Sequence, residues 1–135
     1  MLVGIITISD RASEGVYEDL GGPALRKASE SYGWTVHAEA IVPDDQKRIQ
    51  DTIRSFSSQG CGLILTTGGT GIAERDVTPE AIRGIMRVEI PGFGEVMRMK
   101  SLELTPNAIL SRSLAAVVDR SLVIALPGKP QGAVD

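Results

Sequence analysis

The sequence predicts an α/β fold: a doubly wound, mostly parallel sheet with helices on both faces and a small antiparallel edge element. Three observations predict it. Short apolar runs alternate with amphipathic helical stretches along the chain. The run Leu63-Ile64-Leu65 is continuously apolar, which suits a central parallel strand buried on both faces. Two apolar runs near the end, 114–118 and 122–126, are joined by too few residues for a helical crossover and are expected to pair as an antiparallel hairpin.

The elements follow in order. Residues 2–8 form the first strand, and a polar loop bearing glycines covers 9–22. Pro23 suits the first turn of a helix, with Leu25, Ala28 and Tyr32 on one face, and Gly33 ends it. Residues 35–42 alternate in part and read as the second strand. Pro43-Asp44-Asp45 turns the chain and supplies an N-cap for a helix over about 46–57, which sets Ile49, Ile53 and Phe56 on one side. The third strand runs into Thr66-Thr67-Gly68-Gly69-Thr70-Gly71. A helix after Thr78 carries Ile82, Ile85 and Met86. Pro91-Gly92-Phe93-Gly94 is read as a break, followed by a helical piece with Val96, Met97 and Leu102. Pro106 opens a short helix with Ile109 and Leu110 before the closing hairpin. There is no repeat, low-complexity tract or linker, so residues 1–135 are expected to form a single domain.

Composition narrows the function. The chain has 135 residues, enough to bury a core, and a net charge of −3, which offers no basic surface for nucleic acid or anionic lipid. No apolar stretch approaches the roughly 20 residues of a membrane span, and the N-terminus lacks a basic segment before its apolar run. A single cysteine, Cys61, excludes an internal disulfide. With one cysteine and one histidine, His37, a zinc site is implausible. A soluble cytoplasmic protein is expected, with Cys61 buried and His37 on a strand surface.

The most informative segment is the glycine loop at 66–71, with Asp76 five residues further on. Glycines after a buried strand let backbone N–H groups approach an oxyanion closely, threonines add hydroxyls, and a following helix N-terminus favours negative charge. A carboxylate beside a phosphate site calls for a bridging divalent cation. The loop is neither a Walker motif nor a dinucleotide fingerprint, since GxxxxGK[ST] and GxGxxG are both absent. In open α/β sheets ligands lie outside the carboxyl ends of the strands. Ser9-Asp10, Asp44, the glycine loop and Pro127-Gly128 all follow strands and are expected to share that rim. Simpler readings stand beside these. Asp44 or Asp45 caps the next helix, Asp10 caps a turn, and Asp76 is a solvated loop acid. Thr78 is an N-cap with Pro79 at N1, Glu80 complements a helix dipole, and Arg112 is a surface cation at a helix end.

Several strings stand out along the chain: Ile8-Ser9-Asp10-Arg11-Ala12-Ser13, Gly15-Val16-Tyr17-Glu18-Asp19, Pro43-Asp44-Asp45, and Leu65-Thr66-Thr67-Gly68-Gly69-Thr70-Gly71. Arg75-Asp76-Val77-Thr78-Pro79-Glu80-Ala81, Pro91-Gly92-Phe93-Gly94-Glu95, Ile109-Leu110-Ser111-Arg112 and Leu126-Pro127-Gly128-Lys129-Pro130 follow in order. Taken together, these strings resemble the MogA-type molybdopterin adenylyltransferases. The opening strings favour the MogA type over the MoaB type. The resemblance implies transfer of AMP from ATP to the terminal phosphate of molybdopterin, with release of pyrophosphate, a requirement for Mg²⁺, a homotrimer, and a molybdenum-insertion protein as a possible partner. It implies that Asp44 and Asp76 are catalytic and hold the metal. Ser111 and Arg112 match the family's pterin-phosphate contacts. Ser9, Asp10, Thr67, Gly68, Gly69, Thr70, Gly71, Pro127 and Gly128 complete the substrate and nucleotide set. The family's domain continues past Asp135, so a final helix and tail are expected to be missing. Two other functions compete: a non-catalytic molybdopterin-binding or scaffold module of the MoaB type, and a competence-type domain with another nucleotide substrate.

Overall fold

The computed structural model describes residues 1–15 and 21–128. The Tyr17-Glu18-Asp19 string and the Lys129-Pro130 end of the last loop lie outside the described residues. A single six-stranded sheet has the order β2-β1-β3-β6-β5-β4. Its strands are β1 (Leu2–Ile8), β2 (Thr35–Val42), β3 (Leu63–Thr67), β4 (Val88–Glu89), β5 (Leu114–Val118) and β6 (Ser121–Leu126). β2, β1, β3 and β6 run parallel, while β5 is antiparallel to both β6 and β4.

The expected strands form where uniform or alternating apolar patterns ask for them. β3 is buried at every position, as a strand covered on both faces must be. β2 alternates between exposed and half-buried positions because it is an edge. The β5–β6 turn passes through Asp119 at φ 52, a left-handed conformation that aspartate tolerates better than most side chains.

The helices flank both faces. α1 (Asp10–Ser13) is one short turn, and α2 (Gly21–Ser31) packs Leu25 with Val3, Ile5, Leu63 and Leu65. On the opposite face, α3 (Gln46–Ser58) places Ile49, Ile53 and Phe56 against Ile6, Ile8 and Ile64. Ile49 and Ile53 are fully buried, and each contributes about 2 kcal/mol by leaving water. α4 (Thr78–Arg83) adds Ala81 and Ile82 to the same core. α5 (Pro91–Leu102) and a 3₁₀ turn, Pro106–Leu110, pack together beside β5.

Four local expectations are corrected. Tyr32 is 73% exposed and stacks on Trp34 instead of joining the buried face of α2. α4 stops at Gly84, so Ile85 and Met86 lie beyond the helix, although both pack against the core. Pro91-Gly92-Phe93-Gly94 is the first turn of α5 and not a break, since proline is tolerated where no intrahelical N–H bond is needed. Thr78 is the first residue of α4 and not its cap. The capping position falls on Val77 and has no side-chain bond.

The chain passes from β1 out to β2 and then returns beyond β1 to β3, so the strand order reverses between β1 and β3. A crevice at the carboxyl ends of strands belongs at such a reversal.

Candidate active site

Four loops meet at that crevice, after β1, β2, β3 and β6. Gly68 holds φ 104 and Gly69 φ 71, so the chain turns sharply as β3 ends. A side chain at Gly68 would strike the Ile8 carbonyl oxygen, with Cβ only 2.2 Å away, so glycine lets the loop rest on the end of β1. The Gly68 N–H donates to Leu126 O at 3.1 Å, and a Cβ on Gly128 would lie 3.3 Å from Gly68 Cα. Pro127-Gly128 therefore lies against the loop from the β6 side.

The loop's carbonyl groups all have donors within the protein. Gly68 O accepts the Thr78 hydroxyl at 3.0 Å, and Gly69 O accepts the Thr78 N–H at 3.1 Å. Thr70 O accepts the Arg112 N–H, and Gly71 O accepts Arg112 Nε, each at 2.8 Å. The N–H groups of Gly69, Thr70 and Gly71 have no hydrogen-bond acceptor among the described residues. A run of unpaired N–H groups whose carbonyls are tied back into the fold has the chemistry of an anion cradle. The threonine hydroxyls contribute less than their sequence suggests. Thr66 and Thr67 are buried, and Thr67 Oγ1 donates to Pro127 O at 2.8 Å.

Two carboxylates flank the cradle. Asp44 Oδ1 lies 3.1 Å from where a Cβ on Gly69 would sit, and Asp76 Oδ2 lies 2.8 Å from the equivalent point on Gly71. Asp45, not Asp44, caps α3, accepting from the N–H groups of Lys47 at 2.9 Å and Arg48 at 3.2 Å. Asp44 is thereby free of the capping role. Asp76 Oδ2 accepts the Ala73 N–H at 2.9 Å, so it also closes its own turn.

Asp10 and Asp44 hold each other. The Asp10 N–H donates to Asp44 Oδ2 at 3.1 Å, and the Asp44 N–H donates to Asp10 Oδ1 at 3.0 Å. Arg75 Nε donates to Asp10 Oδ2 at 2.8 Å, and its terminal nitrogen reaches the same oxygen. The helix-capping role falls to Ser9 instead, whose hydroxyl accepts the Ala12 N–H at 3.2 Å. Burial pushes the Asp44 carboxyl above the usual aspartate range, and the negative charges of Asp10 and Asp76 add to that rise. Burial also raises Asp10, but the Asp44 N–H and Arg75 outweigh it, leaving its carboxyl below the usual range.

Arg112 is not a surface cation. Its Nε, its two terminal nitrogens and its N–H reach Gly71 O, Glu80, Asp76 O at 2.7 Å and Thr70 O. Glu80, read as a dipole complement, is chiefly its ion partner, and that bond holds the Glu80 carboxyl below its usual range. Ser111 Oγ donates to Ser113 Oγ at 3.0 Å. Both serines and Arg112 line a cleft of about 250 Å³ with Arg83, Glu89 and Arg98. Arg112 is thus common to the cleft and the glycine loop.

The sequence reading missed Arg75 as a site residue and the inward role of Thr78. Nothing local signals either, because their partners lie in other loops. Position after strands accounts for Ser9, Asp10, Asp44, the glycine loop and Pro127-Gly128 at the rim, spacing to the loop points to Asp76, and only the family resemblance points to Ser111 and Arg112. Cys61 is buried, and burial raises its thiol; His37 is exposed. Among the described residues no helix is long and apolar enough to cross a membrane.

Residues 4–135 match the family described as "Probable molybdopterin binding domain". A Helicobacter pylori protein named "Molybdopterin adenylyltransferase" is 47% identical over 133 residues, covering 96% of this chain and 75% of that protein. A protein of the same name from Escherichia coli is 45% identical over 132 residues, covering 96% of this chain and 68% of its own length. The crystal structure of a molybdopterin biosynthesis enzyme, MoaB, from Thermus thermophilus superposes with a TM-score of 0.92 at 42% identity, covering 98% of this chain and 84% of that one. The chain belongs to the molybdenum cofactor biosynthesis domain family.

Proposed function

We propose that this protein is a molybdopterin adenylyltransferase, a nucleotidyltransferase of molybdenum cofactor biosynthesis. An oxygen of the terminal phosphate of molybdopterin attacks the α-phosphorus of ATP. The bond from that phosphorus to the α–β bridging oxygen breaks, and pyrophosphate leaves. The attacking oxygen is already anionic, so the site's tasks are positioning and charge neutralisation rather than proton removal.

One observation carries the reading. Gly69, Thr70 and Gly71, whose N–H groups have no acceptor among the described residues, form a run with Asp44 beside Gly69 and Asp76 beside Gly71, next to the strand-order reversal. The N–H groups suit phosphate oxygens, but the carboxylates would repel them. Two carboxylates and a polyphosphate are the donor set that Mg²⁺ accepts, because this ion keeps several waters and needs no all-protein cage. Asp44 and Asp76 would hold it, and its charge would offset the negative charge that builds on the reacting phosphates. Asp44 Oδ1 is available for this role because Oδ2 is held by the Asp10 N–H. Ser111 and the N–H bonds that Arg112 has left uncommitted are assigned to the pterin phosphate. Arg fits because its planar fork presents several donors at once.

The test is pyrophosphate release from ATP with and without molybdopterin. The proposal expects release that requires both molybdopterin and Mg²⁺. A MoaB-type binding or scaffold module would bind molybdopterin and release none.

Assembly and setting belong to the same proposal. Phe93, Val96, Met99 and Leu102 of α5 and Ile109 and Leu110 of the 3₁₀ turn are exposed apolar side chains, which supports self-association; the family resemblance makes the proposed assembly a homotrimer and its setting the cytoplasm. Light scattering should give three times the 14.3 kDa chain mass. A molybdenum-insertion protein would then receive the product.

A further inference from the structure

We infer that Arg75 is a positioning residue that fixes the span between the Asp44 and Asp76 carboxylates, with Asp10 as its junction. The inference rests on the functional reading above only in taking those two carboxylates as the metal-holding pair.

Three loops must keep their places for that pair to act together. The loop after β1 and the loop after β2 are joined by the reciprocal Asp10–Asp44 bonds, at 3.1 and 3.0 Å. The segment carrying Asp76 is held from one side by Arg112, which donates to Asp76 O at 2.7 Å and to Gly71 O at 2.8 Å. On the other side Arg75, the residue next to Asp76, crosses to Asp10 Oδ2, its Nε at 2.8 Å. The ion pair therefore ties the Asp76 segment to the Asp10–Asp44 unit.

The geometry of Asp10 explains why it serves as a junction. Its Oδ1 takes the Asp44 N–H, and its Oδ2 takes two nitrogens of Arg75. Both oxygens are already engaged by the protein, so Asp10 is better suited to holding neighbours than to binding a ligand. Its N–H holds Asp44 Oδ2 and leaves Oδ1 beside Gly69.

Stability does not account for the pair. The Arg75 side chain is 69% exposed and that of Asp10 29%. An ion pair this open to water adds little to folding. What it supplies is a fixed separation between two loops, and a site that brings two polyanions together in line depends on such separations.

The experiment compares wild type with Arg75→Ala and Arg75→Lys. Mn²⁺ serves as the paramagnetic probe, titrated with a non-hydrolysable ATP analogue present and followed by electron paramagnetic resonance. Arg75→Ala should weaken Mn²⁺ binding roughly tenfold, in the range seen when a supporting partner of a metal ligand is removed. It should lower kcat by about tenfold to a hundredfold while leaving KM for ATP within about threefold. Arg75→Lys, which keeps the charge but not the fork, should recover part of both losses. The melting temperature should move by less than about 2 °C. The inference is overturned if Arg75→Ala binds Mn²⁺ as wild type does. It is equally overturned if Arg75→Lys loses as much as Arg75→Ala while both melt markedly lower, since Arg75 would then be a structural tie. Should wild type release no pyrophosphate, the functional reading fails, yet the Mn²⁺ affinities of wild type and variant still decide the role of Arg75.

Discussion

Two arginines grip the segment that carries Asp76, and they do so in opposite ways. Arg112 works from the fold side. Its side chain is 34% exposed, and it satisfies the carbonyl oxygens of Gly71 and Asp76 while pairing with Glu80. Arg75 works from the solvent side, 69% exposed, and its bonds go to one carboxylate oxygen of Asp10. Removing Arg112 strips partners from half-buried backbone groups, which costs far more than breaking an open ion pair. The difference separates a residue that builds the loop from one that sets its distance to a neighbour. It also predicts that, within the same few ångströms, Arg112 variants lose stability together with substrate binding, while Arg75 variants lose turnover with stability kept.

The largest effect is expected at the flanking carboxylates. Asp44→Asn and Asp76→Asn should each reduce adenylyl transfer by at least about 100-fold, because preorganised charge at the reacting phosphates is lost. Asparagine is the better replacement for Asp76, since alanine would also remove the acceptor of the Ala73 N–H. Neither variant should melt much lower. For Asp44 the sign follows from its raised carboxyl. A folded-state value above the unfolded one costs stability as pH rises through that window, so Asp44→Asn should be neutral or slightly stabilising at pH 7 by calorimetry.

Gly71→Ala should come next. Its Cβ would lie 2.8 Å from Asp76 Oδ2, so the carboxylate must shift. Steady-state kinetics should show kcat reduced about tenfold with the melting temperature nearly unchanged, as expected for a displacement below 1 Å. Gly69→Val is a poorer probe of phosphate binding. The residue holds φ 71, and its Cβ would lie 2.3 Å from Thr78 Oγ1, so the fold itself would suffer.

Arg112→Met should weaken molybdopterin binding and, unlike the variants above, also lower stability, by about 2 kcal/mol through unsatisfied carbonyl groups. Denaturant unfolding measures this directly. The Arg112 bond holds the Glu80 carboxyl below its usual range, so its contribution is present above the unfolded value, 4.5, and is lost as pH falls below it. Wild type should therefore lose stability faster than Arg112→Met as pH drops through that range. The smallest effect is expected at Asp45. Asp45→Ala removes the α3 cap and should cost about 1 kcal/mol with transfer unchanged, in contrast to its neighbour Asp44.

The fold was legible wherever burial imposed a pattern. β1, β2, β3 and the β5–β6 hairpin are uniform or alternating runs, and the expected limits agree closely with the observed ones. β4 was missed because two residues carry no period. The start of α5 was read as a break because Gly92 and Gly94 look like loop residues when the packing behind them is unseen. A Cβ on Gly94 would lie 2.6 Å from Ser113 O, so the glycine there admits close approach to the segment leading into β5. The rim was legible in outline, since carboxyl ends of parallel strands converge by construction. Its internal wiring was not. Arg75 finds Asp10 across 65 positions and Arg112 finds Glu80 across 32, separations over which no sequence period operates.

The most direct test of the account is mass-spectrometric detection of adenylated molybdopterin, made from ATP and Mg²⁺ by wild type, Asp44→Asn and Asp76→Asn, with molybdopterin affinity measured on the same samples. The account predicts product from wild type, a loss of at least about 100-fold in both variants, and molybdopterin affinity largely retained. Wild-type protein that binds molybdopterin but forms no adenylated product, or an Asp76→Asn variant that turns over like wild type, would contradict it.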